Sequence, residues 1–138
     1  MVFDMERLFH GSCHCGAVAF EAVGDLDDGT ARCNCSYCRK TRSWGFRVKP
    51  DSLRITRGED HVTGYAFSEG RPEHCFCAKC GVHLFGRGNV PELGGDIVSL
   101  QIASIDDASV EELVATPVMW CDGLNDNWWN PPEEIRHL

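Results

Sequence analysis

The amino-acid sequence predicts a mainly β protein of short strands, with at most one or two short helices. Runs of β-branched and aromatic residues, with apolar side chains at alternate positions, recur between Gly, Pro and Asp residues. Only one segment, ASVEELVA at 108–115, carries helix signals. The 138 residues are 43% hydrophobic, which is enough to build one sizeable core. We therefore expect a single domain.

The first predicted strand is CHCGAVAFEAV, residues 13–23, in which apolar positions alternate with small or charged ones. Side chains two apart in a strand face the same way, so Cys13 and Cys15 would share one face. The Gly- and Asp-rich stretch GDLDDGT predicts a turn. After it, ARCNCSYC predicts a short strand that runs into a knuckle, by which we mean a tight turn that carries cysteines. We expect the two cysteine segments to lie at the ends of a hairpin.

The middle of the chain predicts five more short strands. Residues 44–61 contain two of them, separated by Pro50-Asp51 and ended by Arg57-Gly58. VTGYAFS, residues 62–68, predicts the third, and EGRPE a turn after it. Residues 74–88, HCFCAKCGVHLFGRG, repeat the pattern of the first cysteine segment: a strand, a knuckle and a second strand.

The last third begins with the strongest predicted strand, DIVSLQIASI, which is rich in β-branched and apolar residues. The helix over ASVEELVA follows, and a carboxylate of Asp106 or Asp107 could cap it by accepting a free backbone N–H group. Pro117 should end this helix. The tail MWCDGLNDNWWNPPEEIRHL is rich in Asn, Asp, Gly and Pro, so we expect it to be irregular.

Charge and composition exclude several classes of partner. The net charge of −8 argues against broad contact with nucleic-acid phosphates, so we expect no nucleic-acid partner. The opening residues MVFDMERLFHG lack the apolar run of a signal peptide, and no stretch is long and apolar enough for a membrane helix. We therefore expect a cytoplasmic protein without a membrane partner, either a monomer or a homodimer.

Nine cysteines make metal binding the leading explanation of the sequence. The cytosol is reducing, and an odd number of cysteines cannot all pair within one chain. Their spacing is also that of metal ligands, because C-x-C on a strand and C-x-x-C in a tight turn each direct two thiolates at one ion. The pattern consists of C-x-C at 13–15, C-x-C-x-x-C at 33–38 and at 75–80, and a separate Cys121.

Glycine placement sorts these cysteines into two sites. Gly16 follows Cys15 and Gly81 follows Cys80, and a glycine there eases a tight turn because it accepts a positive φ. CHCG and CAKCG therefore predict two halves of one closed, structural ZnCys4 site. The predicted ligands of this site are Cys13, Cys15, Cys77 and Cys80.

The three remaining ligands, Cys33, Cys35 and Cys38, predict a second zinc with an open position. Three protein ligands and a vacancy are typical of catalytic zinc, because water or a substrate atom can fill the fourth place. Arg39 and Lys40 follow at once and would suit an anionic small molecule.

A closed second site is the main alternative. Cys75, a histidine or Cys121 could supply a fourth ligand, and four-ligand sites are the usual way in which a small zinc domain is held together. Cys75 is the strongest rival because it lies two residues before Cys77 and would share its strand face. Cys121 alone is more typical of a small buried residue.

The motifs GSCHCGAV, CNCSYCRK and FCAKCGVHLF resemble the glutathione-dependent formaldehyde-activating enzyme family, which also contains centromere protein V. The resemblance covers roughly residues 11–115 and includes VSLQIASIDD, which resembles the final strand of the family and its following turn. It implies a β-tent fold, with the four-cysteine site structural and the three-cysteine site catalytic. His74 and Cys75 depart from the pattern expected in the family.

The resemblance also implies an activity. The family is grouped with carbon–sulfur lyases, and its founding reaction condenses formaldehyde with glutathione to S-hydroxymethylglutathione. We therefore expect a zinc-dependent lyase that acts on a small thiol adduct, with Arg39 or Lys40 holding a carboxylate. A zinc-stapled protein-binding module without catalysis is the alternative, and it would have no need of an open metal site.

Overall fold

The computed structural model describes residues 6–138, which form two β-sheets. The small sheet is antiparallel in the order β1-β2-β5, and the large sheet is mixed in the order β10-β3-β4-β9-β8-β7-β6. The strands are β1 (Arg7–Ser12), β2 (Ala19–Gly24), β3 (Thr30–Cys33), β4 (Trp44–Val48), β5 (Arg54–Arg57), β6 (Val62–Tyr65), β7 (Glu73–Cys77), β8 (His83–Val90), β9 (Gly95–Gln101) and β10 (Val118–Cys121).

The helical content of the described residues is small. It consists of α1 (Ser36–Thr41), α2 (Val110–Ala115) and short 3-10 turns. The prediction of a mainly β fold with one or two short helices is thus confirmed. Within residues 6–138, no helix is long and apolar enough to cross a membrane. Residues 1–5, part of the stretch in which we expect no signal peptide, lie outside the described residues.

Two aromatic pairs join the sheets across the core. Phe9 of β1 meets Phe46 of β4 edge to face, with ring centroids 5.2 Å apart. Phe20 of β2 meets Phe85 of β8 in the same way at 5.3 Å. All four rings are fully buried, so each pair adds an edge-to-face attraction to the hydrophobic gain. The core therefore lies between the faces of the two sheets.

The first predicted strand is wrong in its first half. Residues 13–18 form a turn, and the strand begins only at Ala19, because Cys13 closes the turn by a backbone bond from its N–H to the carbonyl of Val18 at 3.1 Å. Cys13 and Cys15 therefore do not share a strand face. The predicted hairpin is also absent, since β2 belongs to the small sheet and β3 to the large one. An additional strand, β1, precedes the turn and pairs with β2.

The middle strands follow the sequence pattern closely. The two strands predicted within 44–61 are β4 and β5, and the third is β6. Strand, knuckle and strand over 74–88 become β7, a turn at 78–82 and β8. After β3 the chain forms α1 rather than a bare knuckle, and the Cys35 thiol caps this helix by accepting the N–H of Cys38.

The C-terminal third differs at the helix cap and in the tail. The cap of α2 is Ser109, which forms a reciprocal capping box with Glu112, and neither Asp106 nor Asp107 caps it. These two carboxylates bind the small sheet instead, at Ser12 and His10. In the tail that we expect to be irregular, residues 118–121 form β10, which pairs in parallel with β3.

Gly58 supports the turn that carries Cys13 and Cys15. Its φ is +75°, and an added Cβ would lie 1.9 Å from the carbonyl oxygen of Ala17. Gly58→Ala should therefore lower the free energy of unfolding by more than about 2 kcal/mol, since left-handed strain and a backbone clash act together. Gly70→Ala is the matched control, because Gly70 has φ +78° but open space around it. If Gly58→Ala and Gly70→Ala lowered the free energy of unfolding equally in urea, the contact with Ala17 would have no energetic cost.

Candidate metal centres and substrate site

Four thiols from distant parts of the chain meet in one cluster, the four-cysteine cluster. Its sulfurs belong to Cys13, Cys15, Cys77 and Cys80, and they all lie within 4.8 Å of one another. The Sγ–Sγ distance is 3.6 Å between Cys13 and Cys15 and 3.8 Å between Cys15 and Cys77. A tetrahedral site with Zn–S bonds of about 2.3 Å has edges of about 3.8 Å. The cluster could therefore hold a metal ion, and its size is consistent with zinc.

The two turns of the four-cysteine cluster are built alike. The N–H of Cys13 donates to the carbonyl of Val18, and the N–H of Cys77 to the carbonyl of Val82, both at 3.1 Å. A backbone N–H also points at a sulfur in each turn, from Val18 to Cys13 Sγ at 3.2 Å and from Lys79 to Cys77 Sγ at 3.4 Å. Such N–H groups favour the thiolate form, which is the form that binds a metal.

Glycines make both turns possible, as their positions in the sequence predict. Gly16 has φ +80° and Gly81 has φ +78°, in the left-handed region that other residues avoid. Each N–H then donates back to the first cysteine of its turn, from Gly16 to the carbonyl of Cys13 and from Gly81 to that of Cys77. The glycine signal therefore marks two equivalent half-sites.

Three more thiols form the three-cysteine cluster where β3 meets α1. Cys33 ends the strand, Cys35 caps the helix and Cys38 lies in its first turn, and the three sulfurs lie within 4.8 Å of one another. The N–H of Cys35 donates to Cys33 Sγ at 3.3 Å, and that of Cys38 to Cys35 Sγ at 3.4 Å. All three residues are half-buried. This cluster could hold a second metal ion and remain open to a small molecule.

No fourth ligand from the described residues joins the three-cysteine cluster. Cys75 is fully buried on β7, where burial raises the pKa of its thiol to about 11. Cys121 stands beside Cys33 in the register of β10 and β3, yet its sulfur is outside the cluster. The histidines of residues 6–138 are outside it as well. The arrangement thus offers three protein donors.

The three thiols share protons unequally. Hydrogen bonds from Cys33 and Cys38 lower the pKa of Cys35 to about 2. Hydrogen bonding within the cluster raises the pKa values of Cys33 and Cys38. Hydrogen bonds from the neighbouring thiols thus favour the thiolate form of Cys35, and a metal ion would displace the protons that remain on the cluster.

Helix α1 carries a group of cations next to the three-cysteine cluster. Ser36, Arg39 and Lys40 share one helix face and, with Arg42 and His137, line a cavity of about 410 Å³. Arg39 and Lys40 are exposed, as expected of residues that bind a solute. Arg42 and His137 were not predicted from the sequence, because Arg42 follows α1 outside the cysteine motif and His137 lies almost one hundred residues further on.

Aromatic rings border the cluster through Tyr37, which lies between Cys35 and Cys38 in the sequence. Its ring stacks on His74 with centroids 3.8 Å apart and on Tyr65 at 6.0 Å. His83 meets the edge of this stack, 5.8 Å from Tyr37. Both His83 ring nitrogens are buried without a hydrogen-bond partner, and burial lowers the pKa of this imidazole to about 4. Nothing in the sequence distinguishes His83 from a surface histidine.

The tail after β10 packs against Cys33. Asn34 holds it in place by donating to Asp122 Oδ1 at 2.8 Å and by accepting the N–H of Leu124 at 3.0 Å. A Cβ on Gly123 would lie 2.6 Å from Cys33 Sγ and 2.7 Å from the Trp128 ring, so only glycine fits there. The C-terminal tail is therefore part of the surroundings of the three-cysteine cluster.

Comparison with known proteins agrees with this organisation. A family model described as glutathione-dependent formaldehyde-activating enzyme matches residues 8–123. A Halomonas elongata protein whose name places it in that family is 37% identical over 87 residues, which are 56% of this chain and 55% of the relative. The match thus spans about half of the length of that curated relative. The crystal structure of a Rhodobacter sphaeroides protein is 27% identical, with a TM-score of 0.65, and covers 80% of this chain and 99% of its own.

The two clusters should respond differently to loss of one thiol. Cys80→Ser should lower the free energy of unfolding of the metal-loaded protein by more than about 3 kcal/mol, because binding energy at a closed site is folding energy. Cys35→Ser should remove one metal ion with a much smaller loss of stability. Cys121→Ser is the control and should retain both ions. Native mass spectrometry and thermal unfolding measure these effects, and equal destabilisation by Cys80→Ser and Cys35→Ser would make both sites structural.

Replacement of His83 tests the cost of its unpartnered nitrogens. His83→Phe keeps the edge contacts to Tyr37 and His74, so it should raise the free energy of unfolding by about 1 kcal/mol at pH 8. The folded pKa of His83 is about 4, below the ordinary 6.5, so between these pH values the unfolded state binds a proton that the folded state does not. The parent protein therefore loses stability as the pH falls through this range, and the stabilisation by His83→Phe should be larger at pH 5 than at pH 8. His10→Phe should destabilise, since His10 binds Asp107. Destabilisation by His83→Phe would reveal a bound partner.

Proposed function

The chain belongs to the glutathione-dependent formaldehyde-activating enzyme family, and on that premise we propose that it is a zinc-dependent carbon–sulfur lyase. Its substrate would be the adduct of a small thiol and an aldehyde, with glutathione and formaldehyde as the reference pair. One observation carries the proposal: three thiols meet without a fourth donor among residues 6–138, beside a cavity lined by cations. A purely structural centre would have a fourth ligand.

The reaction is an addition that balances without a redox partner. The thiol sulfur forms a bond to the carbonyl carbon of formaldehyde, and the π electrons of the C=O bond move to oxygen. The thiol proton ends on that oxygen, which gives a hydroxymethyl thioether. The lyase direction reverses each step. A zinc ion held by Cys33, Cys35 and Cys38 would supply a Lewis acid that favours the thiolate form of the substrate.

The side chains around the cluster would bind and orient the substrate. Arg39 and Lys40 follow Cys38 on α1 and line the cavity together with Ser36, so they would hold a carboxylate of the thiol compound there. Tyr37 and His74 would form an apolar wall that limits access of water. The four-cysteine cluster would hold a second, structural zinc that fixes the turn after β1 to the turn after β7.

Other features support the wider proposal of a single, cytoplasmic β-tent domain. All nine cysteines are free, which suits a reducing compartment. The net charge of −8 does not favour a nucleic-acid or acidic-membrane partner. A monomer and a homodimer both fit these observations.

Zinc counting with a thiol titration tests the proposal. Native mass spectrometry should find two zinc ions per chain, one held more weakly, and glutathione should bind to the form that contains both. The loaded protein should also accelerate exchange between formaldehyde and S-hydroxymethylglutathione in NMR exchange spectra, and Cys35→Ser should abolish this acceleration. Two equally tight ions that ignore glutathione, without acceleration, would favour the protein-binding module instead.

A further inference from the structure

The cations beside the three-cysteine cluster lack acidic partners. Within residues 6–138, none of the ion pairs involves Arg39, Lys40 or Arg42. Among the described residues that line the cavity, none is acidic. Such a concentration of positive charge is unusual in this protein, which has eight more acidic than basic residues. Asp and Glu side chains are abundant enough to pair with these cations.

A third guanidinium extends the positive region toward β3. Arg32 packs over the Trp44 ring at 4.5 Å and lies within electrostatic range of Arg42. Arg42 itself has a left-handed backbone, with φ 54°, as the residue that ends α1. Neither Arg32 nor Arg42 has an ion pair with a carboxylate of residues 6–138, so an anionic ligand would reduce the repulsion between them.

The C-terminal tail brings a further polar group to the same cavity. His137 lines the cavity opposite residues of α1, although the family match ends at residue 123. The nearby Glu134 does not oppose the cations, because both of its oxygens bind Arg136. The same tail is anchored at Asn34 and packs on Cys33 through Gly123. One segment thus contacts the metal-binding cluster and the cationic cavity.

We propose that residues 124–138 form one wall of the substrate site, and that Arg42 and His137 complete a second carboxylate subsite beside Arg39 and Lys40. This inference rests on the proposed function and adds two positioning residues to it: Arg42 and His137 determine the affinity for the second carboxylate of the thiol compound. One carboxylate binds Arg39 and Lys40, and the other binds Arg42 and His137. The cavity of about 410 Å³ is within the usual range for a small-molecule ligand.

A thiol-blocked ligand tests the subsite separately from the chemistry. S-methylglutathione has both carboxylates but no free thiol, so its affinity reports the anion contacts alone. Isothermal titration with the zinc-loaded full chain should show that Arg42→Asn weakens binding about tenfold and His137→Gln about threefold, as expected for one charge-assisted and one weaker hydrogen bond. Asn suits the left-handed backbone at position 42, so the fold should be retained.

Controls separate this inference from loss of folding and from the proposed function. Arg54→Gln removes an exposed cation on the other sheet and should leave the affinity within twofold of the parent. In catalysis, Arg42→Asn should raise KM for glutathione more than KM for the uncharged 2-mercaptoethanol. Absence of binding by the parent, or unchanged affinity in both variants, overturns the inference even if lyase activity is present. Weakened binding in a protein without lyase activity supports the subsite and removes the proposed function.

Discussion

The junction of two cysteine turns, one after β1 and one after β7, is the constraint on which the other features depend. It lies where the small sheet meets the large one, and it joins residues whose positions differ by more than sixty. Beneath it, Phe9 and Phe20 of the small sheet interlock with Phe46 and Phe85 of the large sheet. The hydrophobic contacts give the sheets affinity for each other but little directionality. A metal ion held by the four sulfurs would add a fixed geometry, because metal ligation tolerates only small errors in distance.

The three-cysteine cluster depends on a different interaction. Its first thiol ends β3, whose position is set by β4 on one side and by β10 on the other. The side-chain amide of Asn34, the next residue, forms hydrogen bonds to the tail through both its nitrogen and its oxygen. The helix that supplies Cys38 is too short to be stable alone, so these neighbours hold it in place. A metal site with three protein ligands would need this outside support, since it has one ligand fewer to define its shape.

Local patterns in the sequence predicted the features that local physics controls. Period-two alternation identified most of the middle strands. Gly16 and Gly81 identified CHCG and CAKCG as two halves of one site, because both positions require a positive φ. The turn at 13–18 was mistaken for strand because its apolar residues continue the alternation of β2. The cap of α2 was misplaced because Asp106 and Asp107 bind partners on β1, a tertiary contact that no local signal reports.

β10 was missed because its polar neighbours resemble a loop and its partner is distant in the sequence. The surroundings of the three-cysteine cluster, including His83 and His137, share that long-range origin.

The parallel pairing of β10 with β3 has a consequence for the order of events during synthesis. Asn34 and Asp122 are 88 residues apart, so the ribosome exposes the three thiols long before the strand and tail that cover them. In that interval the segment with Cys33, Cys35 and Cys38 lacks the strand and the tail that later pack beside it. Loop closure over such a distance is also slow compared with local folding. The three thiols therefore stay accessible until the C-terminal tail has been synthesised and has docked.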